Sequence, residues 1–588
     1  MPDLRVLSES EKRWNIAPRI PPSVLATLRE FHPVIAQVLY NRGQDTPQKA
    51  RAFLDGGDDA LHNPFALHGM AQAVQRIRRA IRGGEQIVVY GDFDADGVTS
   101  TALLVQALQA LGARVEPYIP HRVDEGYGLN FEALRTLHRQ GTSLVVTVDC
   151  GIRSVEEVAY GRRLGLDLIV TDHHSVGEAL PPAVAVIDPK IDTRRRLEEG
   201  RTNGYPEDML AGVGVAYKLA QALFSVAQSQ DRRPPPLRLD DLLDLVALGT
   251  VADLVPLDRL ENRELVRRGL HVLNRAQRPG VYELMEVAGV RPEQCNATSI
   301  GFMLGPRINA AGRLDSAMIA YELLSTQDMA RASELAQQLQ ALNVERQELT
   351  LQAVEVAREQ AFDSSQDLPL IFATSSGFRP GIVGLVAGRL CEEFYRPAVV
   401  VQQGETESRG SCRSIDEFDI TDALDECADL LVRHGGHAQA AGFTVLNENL
   451  PRLRERLMQL AAERLDGEDL RPLLDIDAEV PFDQLSEALA DELRRLEPTG
   501  AGNNAPLFVT RGVRVVEARR VGQEGKHLRL RLSNGVQSLD GIAFKFGDWA
   551  ERLEGTMDIV YHLEINEWNG RRRPQLNIQD LRPAGRPG

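Results

Sequence analysis

Residues 86–97 read QIVVYGDFDADG, an apolar run followed by aspartates at alternate positions. The first five residues predict a buried strand, and the pattern over 99–111 predicts a helix. Asp92, Asp94 and Asp96 therefore lie where a strand gives way to a helix. Three carboxylates this close repel one another unless cations neutralise them. The stretch thus predicts a metal site at the end of a strand.

Two other interpretations of this motif compete with a metal site, namely a solvated acidic turn and an EF-hand calcium loop. An EF-hand loop needs a bidentate glutamate at its twelfth position and a helix on each side. In this chain a predicted strand, not a helix, precedes the acidic residues, and a helix containing Thr99, Ser100 and Thr101 follows them. The EF-hand is disfavoured, whereas the solvated turn stays open on this motif alone.

The chain has 588 residues, which predicts three or four domains at ordinary domain sizes. Its composition, 43% hydrophobic and 26% charged, is typical of a soluble globular protein. The formal charge of -17 does not favour nucleic-acid binding. A basic groove can nevertheless coexist with acidic outer faces when a metal centre offsets local carboxylates.

Targeting and redox signals are weak in this sequence. The apolar runs are too short for a transmembrane helix, and the first residues lack the basic-then-apolar pattern of a signal peptide. The five cysteines are scattered and never spaced CxxC, which argues against a disulfide framework or a zinc ribbon. We therefore expect a cytoplasmic protein with no membrane partner.

Strand and helix patterns alternate from residue 86 to residue 187, which predicts a parallel sheet covered on both faces. The predicted strands are 86–90, 114–119, 143–148, 166–170 and 183–187. Sites in such sheets form at the carboxyl ends of the strands. Asp149 ends the third strand and Asp172-His173-His174 ends the fourth, so one edge collects five carboxylates and two imidazoles.

This coincidence weakens the ordinary interpretations, in which a single aspartate caps a helix and a single histidine is a satisfied polar residue. Oxygen-dominated ligands with histidine and no cysteine favour magnesium or manganese over zinc. Residues 245–253 are an apolar helical segment that ends at Asp253. Taken alone, Asp253 is more typical of a solvated loop.

These residues closely resemble the DHH phosphoesterase superfamily and, within it, the bacterial RecJ single-strand exonucleases. The matching segments are, in chain order, 92–97 (DFDADG), 122–129 (RVDEGYGL), 148–149 (VD), 172–174 (DHH), 210–216 (LAGVGVA), 249–253 (GTVAD), 305–314 (GPRINAAGRL) and 435–442 (GGHAQAAG). Each motif is short, but the ordered set extends from about residue 85 to the C-terminus and is specific.

The resemblance and the element patterns together predict an α/β protein with five segments. They are an N-terminal extension (1–75), a parallel-sheet DHH metal-binding catalytic domain (76–327), a long connecting helix (328–362), a smaller α/β DHH-associated substrate-binding domain (363–470) and a C-terminal β-barrel nucleic-acid-binding domain of the OB-fold type (471–588). The helix segment contains no glycine or proline. At 1.5 Å per residue it would be about 50 Å long, enough to bridge two lobes.

The resemblance implies two divalent cations, manganese or magnesium. It implies that Asp92, Asp94 and Asp149 hold one cation, and that Asp96, Asp149, His173 and Asp253 hold the other, with Asp149 bridging. His174 would then lie beside the scissile phosphate, with Asp172 orienting the histidine pair.

The resemblance also points to residues that contact the substrate. The 5′ phosphate would be held by Arg122, Arg313, Ser411 and Arg413, and further contacts would come from Arg307, Asn309, Arg379, His437 and Trp568. Arg379 departs from the family, whose members generally carry a histidine in this segment. We expect phosphate contact to survive there, whereas any role that needs a neutral imidazole is in doubt.

The last hundred residues predict a small barrel, because five short alternating runs follow one another closely. The runs are 512–518, 527–532, 538–546, 556–565 and 575–578. Interleaved with them are Arg519, Arg520, Lys526, Arg529, Arg531, Lys545, Arg571, Arg572, Arg573, Phe544, Phe546, Trp549 and Trp568. Such a set fits a groove that pairs cations with stacking platforms, and Trp568 is the aromatic residue we expect to be exposed.

The resemblance therefore implies a 5′→3′ exonuclease specific for single-stranded DNA, which releases 5′-mononucleotides by a two-metal mechanism in DNA repair and recombination. A single-strand-binding protein and a helicase are the implied protein partners. A DHH phosphodiesterase of nano-oligonucleotides or cyclic dinucleotides is one alternative, although it has less need of the barrel. A non-catalytic homologue that binds single strands or a helicase is the other, although such proteins tend to lose metal ligands and all are present here.

Overall fold

The structure is a computed structural model and describes residues 12–122, 124–199, 204–230, 235–362, 368–553, 555–568 and 571–585. The chain forms two compact units. The central unit comprises Arg51–Arg346 and Pro498–Asn504, and the terminal unit comprises Met1–Ala50, Gln347–Glu497 and Ala505–Gly588. None of the described helices has the length and apolarity needed to cross a membrane.

The N-terminal segment is divided between the two units at residue 50. Its elements are β1 (Arg13–Ile16), α1 (Pro22–Thr27), α2 (Pro33–Asn41) and α3 (Pro47–Asp55). The domain boundaries given above stay predictions.

The central unit is built on five parallel strands in the order β3-β2-β4-β5-β6. Its strands are β2 (Gln86–Tyr90), β3 (Arg114–Tyr118), β4 (Leu144–Thr147), β5 (Asp167–Thr171) and β6 (Ala185–Ile187). Its helices are α4 (Met70–Gly83), α5 (Ala95–Ala110), α6 (Phe131–Arg139), α7 (Val155–Leu164), α8 (Pro189–Glu199), α9 (Gly212–Gln230), α10 (Leu243–Ala252), α11 (Leu260–Leu273), α12 (Pro279–Ala288), α13 (Ala297–Ser299), α14 (Gly305–Leu314) and α15 (Met318–Ser325), with a π-helical turn at Ile300–Leu304. The predicted parallel sheet is confirmed, and its strand ends agree with the prediction within two residues.

The central strands β2, β4 and β5 are mainly apolar because helices cover both faces of the sheet. Ile87 and Val89 of β2 pack into one core, whereas Val88 and Tyr90 pack into a second core. Successive side chains of a strand point to opposite faces, so a continuous apolar run fills both layers. The carboxyl ends of β2, β4 and β5 therefore meet at one edge of a rigid, buried sheet.

Residues 329–362 form one helix, α16 (Met329–Phe362), as the absence of glycine and proline predicts. Leu335 and Leu339 from its first half are buried in the core of the central unit. The predicted stop at 363–367 lies outside the described residues.

The terminal unit contains a mixed sheet and a barrel. The mixed sheet has the order β10-β11-β9-β8-β7. Its elements are β7 (Ile371–Ser375), α17 (Val383–Phe394), β8 (Ala398–Gln402), β9 (Glu407–Arg413), α18 (Ile420–Asp425), β10 (Leu431–His437), β11 (Ala440–Leu446) and α19 (Leu450–Arg464). The elements that follow are β12 (Leu473–Ile476), β13 (Ala478–Glu479), α20 (Glu487–Arg494), β14 (Phe508–Val521), β15 (His527–Ser533), β16 (Ser538–Ala543), β17 (Thr556–Trp568) and β18 (Arg571–Pro583).

Strands β14, β15, β16, β18 and β17 close into a five-stranded barrel, because β17 also pairs with β14. The predicted barrel is confirmed. Strand β1 pairs in parallel with β12, and the Trp14 indole donates a hydrogen bond of 2.6 Å to the Asp580 carboxylate. The Arg582 guanidinium lies 3.7 Å above the same indole ring. The first described residues are thus anchored to the barrel region.

Candidate metal centre and substrate-binding residues

The predicted acidic residues converge at the carboxyl edge of the central sheet. Asp92, Asp94 and Asp96 follow β2, Asp149 lies two residues beyond β4, and Asp172 follows β5 directly. Asp253 lies at the C-terminal end of helix α10. Neighbouring parallel strands and one helix end therefore deliver all six carboxylates to one place.

Backbone amides hold two of the aspartates in place. The Asp94 carboxylate caps α5 by accepting hydrogen bonds of 3.0 Å from the amides of Asp96 and Gly97. The buried Asp96 carboxylate accepts hydrogen bonds from the amides of Gly212 and Val213, at 2.6 and 2.8 Å, at the start of α9. Helix N-termini carry partial positive charge, which stabilises these carboxylates.

Potential metal-ligating atoms lie close together in two sets. One set contains Asp92, Asp94 and Asp149, the other contains Asp96, His173 and Asp253, and the atoms of each set lie within 4.8 Å of one another. Asp149 also groups with His173 and His174. The two sets are adjacent, since the Asp149 Oδ1 atom lies 3.1 Å from the His173 Nε2 atom.

The His173 Nε2 atom lies at the centre of the second set. It is 3.6 Å from the Asp253 Oδ2 atom and 3.8 Å from the Asp96 Oδ2 atom. Burial and the nearby His174 lower the pKa of His173 to about 3, so the ring is neutral and can act as a metal ligand.

The carboxylates of this cluster are costly to ionise without cations. Burial and neighbouring carboxylates raise the pKa of Asp96 to about 7 and that of Asp253 to about 9. The same causes raise the pKa values of Asp92 and Asp149 well above their usual range. Buried like charges disfavour the ionised form unless a cation compensates them.

Three buried atoms of the cluster have no hydrogen-bond partner among the described residues. They are Oδ1 of Asp92, Oδ1 of Asp149 and Nε2 of His173. Native proteins rarely leave such atoms unsatisfied, and a bound ion commonly satisfies those that lack a protein partner. Orphaned donor atoms, mutually repelling carboxylates and an oxygen-rich ligand set therefore fit divalent cations of the magnesium or manganese type.

Close contacts explain why glycine occurs in the motifs around this cluster. A Cβ atom on Gly212 would lie 2.7 Å from the Cβ of Asp149, and one on Gly249 would lie 2.8 Å from Oδ1 of Asp96. Asp149 itself has a left-handed backbone with φ of 61°. Such a conformation is uncommon outside glycine and costs free energy. The backbone is thus shaped to bring α9 and α10 against the acidic edge.

Asp172 organises the two histidines. Its Oδ1 atom accepts hydrogen bonds from the amides of His173 and His174 and lies 2.7 Å from the His174 Nδ1 atom. Its Oδ2 atom accepts a hydrogen bond from the Ile152 amide. Burial acts against both charges, but the mutual contact lowers the pKa of Asp172 and raises that of His174 to about 9.

Two neighbours of the cluster were not predicted as site residues. The Lys190 ammonium, at the start of α8, donates a hydrogen bond to the His173 carbonyl oxygen. The Tyr127 hydroxyl lies 3.3 Å from the His174 Nδ1 atom. Tyr127 could have been found, since it belongs to the 122–129 motif. Lys190 belongs to none of the sequence motifs, so the sequence does not mark it as a site residue.

Of the predicted substrate residues, Arg122 lies beside the cluster. Its Nε atom donates a hydrogen bond of 3.0 Å to the Gly312 carbonyl, and its guanidinium lies 3.7 Å above the Phe93 ring. Burial lowers its pKa, whereas the charges of Asp92 and Asp94 oppose this shift. Arg122 is therefore a partly buried cation next to the acidic edge.

The residues from the 305–314 motif occupy helix α14. The Asn309 side chain accepts a hydrogen bond of 2.8 Å from the Ala95 amide, so it supports the first turn of α5. Arg307 donates to the Gln340 side chain and to the Met303 carbonyl, at 2.8 and 2.6 Å. Arg313 is partly exposed near the end of α14. The side chains of Asn309 and Arg307 thus form hydrogen bonds within the protein.

The predicted residues of the terminal unit form a second group. Ser411 and Arg413 lie on β9, and a Cβ atom on Gly384, in the first turn of α17, would lie 3.1 Å from the Ser411 Oγ atom and 3.4 Å from the Arg413 Nη2 atom. Burial lowers the pKa of Arg413. Arg379 is exposed before α17, and His437 is exposed at the end of β10.

The barrel carries a cavity of about 950 Å³ lined by part of the predicted basic set. Four arginines line it, namely Arg529, Arg531, Arg571 and Arg573, together with Phe544, which is 54% exposed. Arg572 is not among the lining residues and pairs with Glu487 and Asp491. The Trp568 side chain lies outside the described residues.

Three protein-family models match the chain. The DHH family N-terminal domain matches residues 86–250, the DHHA1 domain matches residues 367–463, and the RecJ OB domain matches residues 476–580. These ranges cover the central sheet, the mixed sheet and the barrel in turn.

Among curated proteins, the chain is 39% identical over 577 residues to the single-stranded-DNA-specific exonuclease RecJ of Bacillus subtilis (strain 168), covering 97% of this chain and 71% of that protein. Its structure resembles the crystal structure of RecJ in complex with Mn²⁺ from Thermus thermophilus, with a TM-score of 0.82 and 34% identity over 98% of this chain and 80% of that chain. The Mg²⁺ complex from the same organism gives a TM-score of 0.76 at 32% identity, covering 98% of this chain and 79% of that chain.

Proposed function

Because the chain belongs to the RecJ family, we propose that it is a metal-dependent exonuclease that degrades single-stranded DNA from the 5′ end and releases 5′-mononucleotides. The observation that carries this proposal is the pair of ligand sets that meet where Asp149 lies 3.1 Å from His173. A metal-binding edge of this kind is what hydrolysis of a phosphodiester by a two-metal mechanism requires.

Two divalent cations, manganese or magnesium, are the cofactors. The ligand sets support the assignment of Asp92, Asp94 and Asp149 to one cation and of Asp96, Asp149, His173 and Asp253 to the other. When bound, two such cations supply the Lewis acidity that activates a water molecule and neutralises the charge of the phosphate. Asp149 could serve both cations, because it groups with Asp92 and Asp94 and also with His173, and its buried Oδ1 atom has no hydrogen-bond partner in the described part of the chain.

His174 is the residue we assign to the reacting phosphate. In the metal-free protein, its contact with the Asp172 carboxylate raises the pKa of the imidazole to about 9, which favours the protonated form near neutral pH. A protonated imidazole can stabilise developing negative charge and can donate a proton. The hydrogen bonds of Asp172 to the Ile152, His173 and His174 amides fix the orientation of the pair.

We assign the 5′ polarity to arginines that would hold a terminal phosphate. Arg122 and Arg313 serve this role in the central unit, and Ser411 and Arg413 serve it in the terminal unit. The planar arginine fork binds phosphate oxygens in pairs, which suits an end-recognition role. We propose Arg307, Asn309, Arg379, His437 and Trp568 as further contacts to the strand.

The four-arginine cavity of the barrel would hold a more distant part of the strand, with Phe544 as a stacking platform. This assignment distinguishes an exonuclease of long strands from a phosphodiesterase of short oligonucleotides. We further propose that the enzyme acts in the cytoplasm in DNA repair and recombination, with a single-strand-binding protein and a helicase as partners.

The test of the activity is nucleotide release from end-labelled single strands in the presence of manganese. We expect 5′-mononucleotides from single strands, little release from duplex DNA, and none after chelation with EDTA. Absence of release from every strand, while the protein still binds manganese, would overturn the proposed activity in favour of a non-catalytic homologue.

A second experiment tests the cavity. The double variant Arg529→Gln/Arg531→Gln should degrade long strands more slowly while hydrolysing short oligonucleotides at the rate of the unmodified protein. The matched control is Arg520→Gln/Arg572→Gln, because these barrel arginines pair with acidic residues, as Arg529 and Arg531 do with Asp540, but do not line the cavity. Equal losses in the two double variants on long strands would contradict the assignment of the cavity, and the absence of a loss in either would favour the oligonucleotide phosphodiesterase.

A further inference from the structure

Tyr127 is a large aromatic residue that stays open to solvent at the edge of the metal cluster. Its side chain is 56% exposed, whereas the neighbouring Phe93 and His173 are only 6% and 8% exposed. The Tyr127 hydroxyl lies 3.3 Å from the His174 Nδ1 atom and 3.4 Å from the Asp149 carbonyl oxygen. An exposed aromatic ring therefore adjoins two residues assigned to the reaction.

Planar groups form a continuous series across this edge. The Arg122 guanidinium covers the Phe93 ring at 3.7 Å, and the Phe93 and Tyr127 rings meet edge to face with centroids 6.3 Å apart. The Tyr127 and His174 rings also meet edge to face, at 5.9 Å, and the His174 and His173 rings are 4.4 Å apart. Tyr127 is the most exposed aromatic ring of this series and therefore has the most free surface for another ring.

The segment that carries Tyr127 is held in a defined conformation. Gly126 and Gly128, on either side of it, have left-handed backbones with φ of 84° and 79°. The Glu125 carboxylate accepts hydrogen bonds from the Tyr118 hydroxyl and the His121 amide, at 2.6 and 2.8 Å. The ring is thus positioned before any substrate arrives, which lowers the entropic cost of a contact.

We propose that Tyr127 is a stacking platform for the base of a nucleotide that adjoins the scissile phosphate. This inference rests on the proposed function, because it requires a single strand in which bases are free to stack. Aromatic rings stack on every base, so the contact would position the strand without selecting a sequence. The hydroxyl contributes little to this role, since both of its contacts are long.

The test compares Tyr127→Ala with Tyr127→Phe on strands that carry, or lack, a base at the first or the second nucleotide. On an intact strand we expect Tyr127→Ala to lower kcat/KM by about tenfold or more, as the loss of one base–aromatic stack predicts. Tyr127→Phe should remain close to the unmodified protein. The penalty of Tyr127→Ala should vanish when the abasic position is the stacked nucleotide.

Controls separate this role from a structural one and from failure of the activity itself. Tyr282→Ala removes another exposed tyrosine, on α12, and should leave every strand unaffected. Strand binding is also measured in an Asp149→Asn background without turnover, where Tyr127→Ala should weaken the affinity for intact strands only.

Each outcome decides between the roles. A penalty that persists on strands abasic at either position would overturn the stacking role, as would an equal loss in Tyr127→Phe. Lack of nucleotide release by the unmodified protein would instead overturn the proposed function and leave the binding measurement to test Tyr127.

Discussion

The Nε2 atom of His173 lies 3.1 Å from the Oδ1 atom of Asp149, yet neither atom forms a hydrogen bond with any described residue. Both atoms are buried, and the pKa shifts leave the imidazole neutral and the carboxyl group prone to protonation. An arrangement of this kind is unfavourable in isolation and becomes favourable when a cation lies between the two groups. The same contact should therefore destabilise the metal-free protein and favour the binding of a cation.

Asp149→Asn should separate these two properties. Under the proposed bridging role of Asp149, loss of its carboxylate should reduce hydrolysis by about a thousandfold or more, because both cations would lose a ligand. The metal-free variant should melt at a higher temperature than the metal-free unmodified protein, because the free-energy cost of burying this carboxyl group beside other carboxylates, which raises its pKa, is gone. Nucleotide release and thermal denaturation with EDTA provide the two measurements.

The control for that variant is Asp466→Asn, which removes an exposed carboxylate after α19 and should change neither property. Manganese-dependent hydrolysis that survives in Asp149→Asn would rule out the bridging role.

The pH dependence of the metal-free centre has a definite sign. The carboxyl pKa values rise from 3.8 to about 7 for Asp96 and about 9 for Asp253, and those of Asp92 and Asp149 rise as well. The protons that these groups retain in the folded protein outweigh the one that His173 loses through its lowered pKa, so the folded protein binds more protons than the unfolded chain. The free energy of unfolding of the metal-free protein should therefore fall as the pH rises from about 4 to about 9.

The same protons must leave when cations bind, so manganese affinity should rise over this pH range. Calorimetry in buffers of different ionisation enthalpy measures the number of protons released. Binding that releases no protons near pH 7 would contradict the protonation states assigned to these carboxylates.

Gly249→Ala tests the close contact between α10 and the acidic edge. Its Cβ would lie 2.3 Å from the Thr99 Oγ1 atom and 2.8 Å from the Asp96 Oδ1 atom, so Asp96 or the helix must move. We expect a destabilisation of about 1–3 kcal/mol, as overpacked cores show, together with weaker manganese binding.

Gly301→Ala is the matched control, because a Cβ atom on that helical glycine would lie 4.0 Å from its nearest neighbour, the Val251 Cγ1 atom. Alanine there should be neutral or stabilising, since alanine is the better helix former. Equal effects of the two substitutions on manganese affinity would show that the contact at Gly249 does not position Asp96.

The sequence predicts the acidic edge well, because parallel strands bring their carboxyl ends together and each of these strands ends in an acidic residue. Asp253 could be placed only through the family resemblance, since the position of a helix end relative to a sheet depends on packing between distant segments. Lys190 was missed for a related reason. Its long side chain reaches the His173 carbonyl from α8, and the sequence of this helix contains no motif that indicates a functional residue.

The direction in which the side chains of the barrel arginines point could not be predicted from the sequence either. Of the consecutive arginines 571–573, the outer two line the cavity, whereas Arg572 pairs with acidic residues of α20. Alternation along a strand allows this division, but the direction of each side chain depends on the register of β18 against β16 and β17. Strand β1 is also hard to predict, since four residues carry too little periodicity.

Arg122 provides the last prediction, which concerns the 5′ phosphate. Its guanidinium is held by the Gly312 carbonyl and the Phe93 ring, beside carboxylates that would otherwise repel a phosphate. Arg122→Ala should therefore reduce the preference for a 5′-phosphorylated over a 5′-hydroxyl strand by about tenfold or more, the value of a charged hydrogen bond. Arg122→Lys should retain part of the preference, because lysine keeps the charge but loses the planar fork. The ratio of kcat/KM values for the two strands is the measurement, with Arg139→Ala, an exposed arginine of α6, as the control. An unchanged ratio in Arg122→Ala would remove this residue from the phosphate site and leave the polarity to Arg313, Ser411 and Arg413.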